Sequence, residues 1–413
     1  MKSSCIWLSQ PTQDSRAFFE KPRYKKEYAD VLTVGKIFLS EKRVVMEKYL
    51  KRSIFIISVF SAVLGISSVG KTAQVENRQN SLSVFPILMY DTDIGFGYGI
   101  KAKFVNYFSK KESLDLILFN STKGERLIDF TFSIPDIEIR QGKKYPLSLD
   151  IKAVYNRILR DNFYGLGPET AKEELTNFTY EKKELKLSLS RGISSSFVCE
   201  ASYSFRNIRY YDVEEDKDHT ETLKSVGERF SPFLSILFRY DTSDSQIHPT
   251  RGFRFQFQCD IAKGFLGNKN ADFTRLIVDL RRYLLLIGQK DVLAFRLRFQ
   301  KIAGDKIPLF ELSVLGGGST ENAMRGYKMN RFQDMGKILL NCEYRFPIWK
   351  RLGGNLFVDY GIAWPSLARI NFQKYALDAG WGLRYYLKNF LARFDMGFSR
   401  EGTGIYFQFN HIF

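Results

Sequence analysis

Gly404-Ile405-Tyr406-Phe407-Gln408-Phe409-Asn410-His411-Ile412-Phe413, the final stretch of the 413-residue sequence, alternates apolar and polar side chains and stops on an aromatic residue. At two residues per repeat, Ile405, Phe407, Phe409 and Phe413 fall on one side of a strand, with Tyr406, Gln408 and Asn410 on the other. A terminal strand with a wholly apolar face would leave a sticky edge in water. In a closed barrel that face meets lipid and the edge pairs with the first strand. The stretch therefore predicts the last strand of a barrel in the bacterial outer membrane.

The same alternation recurs upstream. Leu234, Ile236, Phe238 and Tyr240 oppose Phe233, Ser235, Leu237 and Arg239, while Phe253, Phe255, Phe257, Cys259 and Ile261 oppose Arg254, Gln256, Gln258 and Asp260. Leu293, Phe295, Leu297 and Phe299 oppose Ala294, Arg296, Arg298 and Gln300. A soluble sandwich must cover every greasy face with a second sheet, whereas a membrane barrel satisfies both faces at once. Such segments occur about sixteen times: 84–90, 96–107, 113–121, 126–134, 147–158, 178–190, 196–209, 228–240, 252–262, 272–285, 291–302, 336–347, 354–362, 377–387, 390–399 and 404–413. Connections after odd-numbered segments include the long ones (159–177, 210–227, 303–335), and those after even-numbered segments are mostly short (191–195, 286–290, 388–389). Long extracellular loops and short periplasmic turns have this arrangement, although Pro135 to Pro146 is long where a short turn belongs. The fold class is all-β: a 16-stranded antiparallel transmembrane β-barrel with a long extracellular loop between strands 11 and 12.

With 44% apolar and 15% aromatic residues, the chain is too polar for a helical membrane protein, and a wall that is half lipid-facing yields this mixture. The formal charge is +17, but the basic residues stand singly along strands (Lys101, Lys103, Arg254, Arg296, Arg298, Arg384, Arg393) and form no run with stacked aromatics. They suit a basic lumen or anionic lipid; nucleic acid is not an expected partner. Cys5, Cys199, Cys259 and Cys342 are scattered, and His219, His248 and His411 show no metal spacing, so no metal or cofactor is expected.

Met46 opens a basic segment, and an uncharged stretch follows from Ser53 to Gly70 with small residues at Ser68 and Gly70. This is the pattern of a signal peptide, although the stretch approaches the length of a transmembrane helix. The domain reading is a disordered N-terminal extension over 1–45 upstream of the true start, a signal peptide over 46–70, a short linker over 71–83 and the barrel over 84–413.

Six motifs follow in order along the barrel segment: PILMYDTDIGFGYG (Pro86 to Gly99), NFYGLG (Asn162 to Gly167), YDTSDSQIHPTRG (Tyr240 to Gly252), LGGGSTENAMRGY (Leu315 to Tyr327), EYRFP (Glu343 to Pro347) and FVDYG (Phe357 to Gly361). Across residues 84–413 they resemble the BamA/TamA superfamily, the bacterial surface antigen barrels. The resemblance implies that the loop between strands 11 and 12 folds into the barrel with Arg325, Gly326 and Tyr327 at its tip. Alternation puts Leu340, Cys342, Tyr344, Phe346 and Ile348 outside with Glu343 and Arg345 inside, and Leu356, Val358, Tyr360 and Ile362 outside with Asp359 inside. In the family the tip arginine binds inward carboxylates of these strands, which implies Glu343 and Asp359 as partners of Arg325 in charge-assisted, bidentate bonds. Gly326 and Gly316 to Gly318 allow close backbone approach.

Phe407, Phe409 and Phe413 are similar to the C-terminal signature by which outer-membrane barrels are recognised for insertion. The implied partners are outer-membrane lipid including lipopolysaccharide, the barrel assembly machinery during insertion, and a client outer-membrane protein or lipid. Family members that assemble barrels carry periplasmic POTRA domains, for which 71–83 is too short. The resemblance is to the barrel module alone, and a further reading is one module of a complex whose periplasmic domains come from a separate subunit.

Catalysis is not expected. Gly316 to Ser319 lacks the Gly-Lys-Ser/Thr of a phosphate loop, and carboxylates beside an arginine stay ionised, unsuited to general-acid work. The expected function is insertion or translocation of outer-membrane protein or lipid through a seam between Val84–Tyr90 and Gly404–Phe413. The alternative is a passive, loop-plugged pore or a structural surface antigen.

Overall fold

The computed structural model describes residues 80–413 apart from 270, 287–290 and 388–389. The expected extension, the signal peptide and most of the linker lie outside the described residues. Sixteen strands make the wall: β1 Ser81–Asp91, β2 Gly95–Val105, β3 Ser113–Ser121, β4 Arg126–Ile134, β5 Tyr145–Phe163, β6 Thr176–Gly192, β7 Phe197–Tyr211 and β8 Phe233–Asp241 form the first half. The second half comprises β9 Gly252–Ala262, β10 Asp272–Leu285, β11 Val292–Lys306, β12 Gly336–Trp349, β13 Leu352–Trp364, β14 Ala376–Tyr386, β15 Leu391–Ser399 and β16 Thr403–Phe409. Each pairs antiparallel with the next, and β16 returns to β1 to close the sheet.

The period-two pattern sets which way each side chain points. On β11, Ala294, Arg296, Arg298 and Gln300 are buried in the lumen while Phe295 and Leu297 stand on the open outer surface. On β8, Phe233, Ser235 and Leu237 are buried and Ile236 and Tyr240 exposed. Apolar side chains outside and hydrogen-bonded charges inside are what a hydrocarbon solvent around a watery interior selects.

Three details depart from the sequence reading. The wall begins at Ser81, so residues 81–83 belong to β1 and not to a linker. The expected strand 228–240 is broken at Ser231 and Pro232: Glu228–Phe230 pairs only with Asn207–Arg209 near the end of β7, and β8 starts beyond the proline, which has no N–H to give the ladder. The expected strand 404–413 stops at Phe409.

The unexplained Pro135–Pro146 connection contains a helical turn, Ile137–Arg140, whose Asp136 side chain accepts from the Glu138 N–H at 3.4 Å. Lys103 of β2 reaches Asp136 at 3.0 Å and Glu138 at 2.7 Å, and Arg140 holds Asp150 of β5 at 2.6 Å. The extra length is therefore tied back onto the wall. The longest connection, 307–335, enters the lumen; its two legs pair as short strands, Ser313–Leu315 with Phe332–Asp334.

Candidate functional site: the loop anchor and the seam

Gly316 and Gly317 turn the lumen loop at φ 123° and 83°, conformations that disfavour a side chain; a Cβ at Gly316 would lie 2.1 Å from the Lys328 carbonyl oxygen. The tight turn delivers Arg325 against strands β12, β13 and β15. Its Nε donates to Asp359 Oδ2 and its Nη2 to Asp359 Oδ1, both at 2.8 Å, and its Nη1 donates to Glu343 Oε1 at 2.5 Å. Asp395 of β15 stands 3.5 Å from the same Nη1, and the guanidinium carbon lies 3.4 Å from the Phe357 ring centroid. Arg325, Glu343, Asp359 and Asp395 are all fully buried.

Neighbouring groups hold the carboxylates in position. Asn341 donates to Asp359 at 2.8 Å and to the Ala323 carbonyl at 2.9 Å; Arg345 donates to Glu343 Oε2 at 2.8 Å; Arg384 pairs with Asp395 at 2.7 Å. Removing one member of such a buried set leaves an uncompensated charge, at a cost of about 3–5 kcal/mol. The wall makes room with glycine: a Cβ at Gly404 would lie 2.1 Å from the Arg325 carbonyl oxygen, and one at Gly397 would lie 2.5 Å from the Arg325 carbonyl carbon. Beside the arginine, Ser399 donates to the Gly326 carbonyl at 2.7 Å, and Tyr327 donates to the Leu377 carbonyl at 3.3 Å.

The structure thus brings together Arg325, Gly326, Tyr327, Glu343 and Asp359. Sequence reasoning missed Asp395, Asn341 and Phe357. Asp395 was findable, since Arg393 and Asp395 alternate with Phe394 and Met396 on a neighbouring strand.

Other contacts fasten the loop. Glu311, at its start, accepts from Arg206 Nη1 at 3.0 and 3.1 Å and from Arg275 Nη1 at 2.7 Å. Lys337 donates to the Val314 and Glu321 carbonyls at 3.0 Å each. Past the tip, Arg331 grips Glu401 at 2.6 Å and Asn330 donates to Asp161 at 2.8 Å, while Asn162 donates to the Met329 carbonyl at 3.1 Å. The NFYGLG segment meets the loop there, with Gly167 bridged to Gln333.

The seam is the weak joint of the wall. Strand β1 pairs with β2 along its whole length, Ser81↔Val105 to Asp91↔Gly95, but with β16 only at Tyr90↔Phe407 and Asp91↔Tyr406. Thr92 adds bonds to Ile405, accepting its N–H at 2.7 Å and donating to its carbonyl at 3.1 Å. Below Tyr90 no pairing to β16 is made, and Ser81–Pro86 are exposed at every position.

The three terminal phenylalanines do not share a lipid-facing row. Phe407 and Phe409 lie on β16 with ring centroids 6.2 Å apart. Asn410 takes a left-handed φ of 65°, which reverses the alternation, and Phe413 turns into the lumen, where it is 3% exposed.

Wall, plugged lumen and short-paired seam together define an outer-membrane β-barrel with an extracellular loop anchored inside it. The chain belongs to the Omp85 superfamily, whose domain matches residues 106–412. It resides in the outer membrane. It is 28% identical over 188 residues to the outer membrane protein assembly factor BamA of Nitratidesulfovibrio vulgaris, a match spanning 41% of this chain and 23% of that relative's length. Its fold is similar to BamA from Haemophilus ducreyi lacking POTRA domains 1–3 (TM-score 0.60, 14% identity, 81% of this chain and 70% of that one). CdiB from Escherichia coli is also similar (TM-score 0.59, 11% identity, 81% and 67%).

Proposed function

We propose that the barrel inserts or translocates an outer-membrane protein or lipid through the seam between β1 and β16. The observation that carries this reading is the two-pair closure: an open edge of β1 over Ser81–Met89 offers unpaired N–H and C=O groups to an incoming strand, which is strand addition. Pro86 lies on this edge, a position in which its missing N–H costs little. The Arg325 anchor, with Glu343 and Asp359, keeps the loop inside the lumen as a fixed partition behind the seam. Phe407, Phe409 and Phe413 serve as the signal by which the barrel assembly machinery inserts this chain, and are read before Phe413 is buried. The relative named as an assembly factor supports a role in assembly. Lipid of the outer membrane, lipopolysaccharide included, flanks the open edge, and a separate periplasmic subunit delivers the client.

A cysteine pair at Met89 and Gln408, one step below the last observed pair, tests the reading. A disulfide there should block growth or deplete outer-membrane proteins or lipids under oxidising conditions and release the block on reduction. An unaltered outer-membrane census with the lock in place would sink it. The passive-pore reading predicts large, ungated conductance in planar bilayers, against which the buried loop argues.

A further inference from the structure

The outer surface of strands β4 to β7 changes character toward the end of the barrel that carries the long loops. On β4 the exposed Ile128 gives way to Arg126, on β5 Tyr155 gives way to Arg157, on β6 the exposed Leu185 gives way to Lys183, and on β7 the exposed Phe205 gives way to Asn207 and then Arg209. Steps of two along a strand keep all of these side chains on the outer face. Register aligns them across the wall: Arg126 pairs with Arg157, Arg157 with Glu181 and Glu181 with Arg209, while Tyr155 pairs with Lys183. At the long-loop ends of β8, β9, β10 and β14 the outward residues are instead Leu234, Ile261, Thr274 and Leu377. The cations are thus gathered on one arc of the wall, and Lys301 of β11 stands apart from them.

Their neutralisation is uneven. Glu181 receives Lys183 at 3.0 Å and the Tyr155 and Tyr211 hydroxyls at 3.3 and 3.4 Å. Glu228 pairs in register with Arg209, whose guanidinium lies 4.7 Å from the Tyr211 ring centroid. Both carboxylates therefore serve the β6 and β7 side of the arc. Among the described residues Arg126 and Arg157 form no ion pair, and the Arg157 Nε has neither solvent nor a hydrogen-bond partner. Two guanidiniums directly opposite on neighbouring strands, with Cβ atoms about 5 Å apart, repel each other. A shared anion removes that repulsion, and a phosphate has oxygens enough to accept from both forks. Immediately along the same strands Leu118, Ile128 and Leu185 stand exposed, where acyl chains pack.

We propose that the outer face of β4–β7 is a binding site for a phosphorylated glycolipid of the outer leaflet, lipopolysaccharide by class. Arg126 and Arg157 share its phosphate, Lys183 adds a third cation beside them, and its acyl chains lie along Ile128 and Leu185. Free phosphate would bring the anion without the chains, and a phospholipid would bring both without the sugar. Strands β4 to β7 are not the strands of the seam, so the site stands whether or not the seam opens.

The test uses the full chain in detergent, with barrel folding verified by heat-modifiable gel migration, and fluorescently labelled diphosphorylated lipid A as probe. The double substitution Arg126→Gln with Arg157→Gln should weaken binding by roughly tenfold or more, the loss of charge-assisted hydrogen bonds to one phosphate. Lys301→Gln, on the opposite arc, should bind as the unsubstituted protein does. Lipid A stripped of its phosphates should bind both proteins alike, and neither inorganic phosphate nor phosphatidylglycerol should displace the probe as readily as unlabelled lipid A. Equal binding by the double variant, or an equal loss in Lys301→Gln, would overturn the site. Displacement by inorganic phosphate or phosphatidylglycerol as effective as that by lipid A would overturn its assignment to a glycolipid. Should the double variant fail to fold, a photocrosslinking residue at Ile128 provides the readout: it must capture the labelled lipid, and capture must fall in Arg126→Gln. The outcome of the Met89–Gln408 lock bears on the seam alone and leaves each of these results unchanged.

Discussion

Arg325 and Asp359 meet through two parallel hydrogen bonds, each 2.8 Å long, although they lie 34 residues apart and neither reaches solvent. A planar guanidinium matched to a carboxylate in this way is both strong and directional. It converts a long connection into a fixed part of the lumen.

Asp359→Ala should therefore free the loop tip. Leaving Arg325 without its bidentate partner costs about 3–5 kcal/mol locally, and Arg325→Lys should do nearly as much because a lysine cannot reproduce the fork. Hydrogen exchange or limited proteolysis over 316–331 measures this. Protection equal to that of the unsubstituted protein would mean the pairing does not hold the loop.

Gly404→Ala should displace the loop without touching a charge. Its Cβ would sit 2.1 Å from the Arg325 carbonyl oxygen, a backbone atom that cannot yield as a flexible side chain would. The wall should still form, with heat-modifiable migration retained and the loop more readily cleaved. A loop as resistant as before would show that the approach is looser than described.

Glu311→Gln probes an anchor of opposite polarity, in which the loop supplies the anion and the wall the cations Arg206 and Arg275. Both arginines keep other partners, Glu184 and Asp260, so the loss should be milder, roughly 1.5–3 kcal/mol. Combined with Asp359→Ala in a double-mutant cycle, a coupling of about 0.5 kcal/mol or more would show that the two anchors hold one body. Strict additivity would show that they act on separate parts of the loop.

Acidification should loosen the inward-turned tail. Burial, and then the nearby Arg345, push His248 down from 6.5 to about 4, with Asp244 opposing; burial and the surrounding arginines likewise lower His411. A depressed histidine favours the neutral folded form, so its contribution is intact above 6.5 and is lost as pH falls through about 4. Exchange at 410–413 should rise over that window in unsubstituted protein and rise less in His248→Phe, where His411, its neighbour nitrogen to nitrogen at 3.1 Å, alone remains to take up a proton. A pH profile unaltered by that substitution would assign the effect elsewhere.

Much of the wall was legible in the sequence because strand alternation is local: Phe295 and Arg296 face opposite ways whatever else the chain does. Glu343 and Asp359 could be placed inside by the same parity, and the resemblance supplied Arg325 as their partner. Asp395 was missed although its parity was visible, since nothing local says that a third strand comes within 3.5 Å of the same guanidinium.

By itself the sequence determined the sixteen segments, their order and their two faces, because hydrophobic periodicity needs only neighbours along the chain. Tertiary structure alone decided that β1 and β16 share two residue pairs and that residues 411–413 abandon the wall. The physical reason is the same for both. Register across a closing seam and the reach of Arg345 to Phe413, 68 residues away, depend on where the whole barrel brings its ends, and no repeat in the sequence encodes that distance.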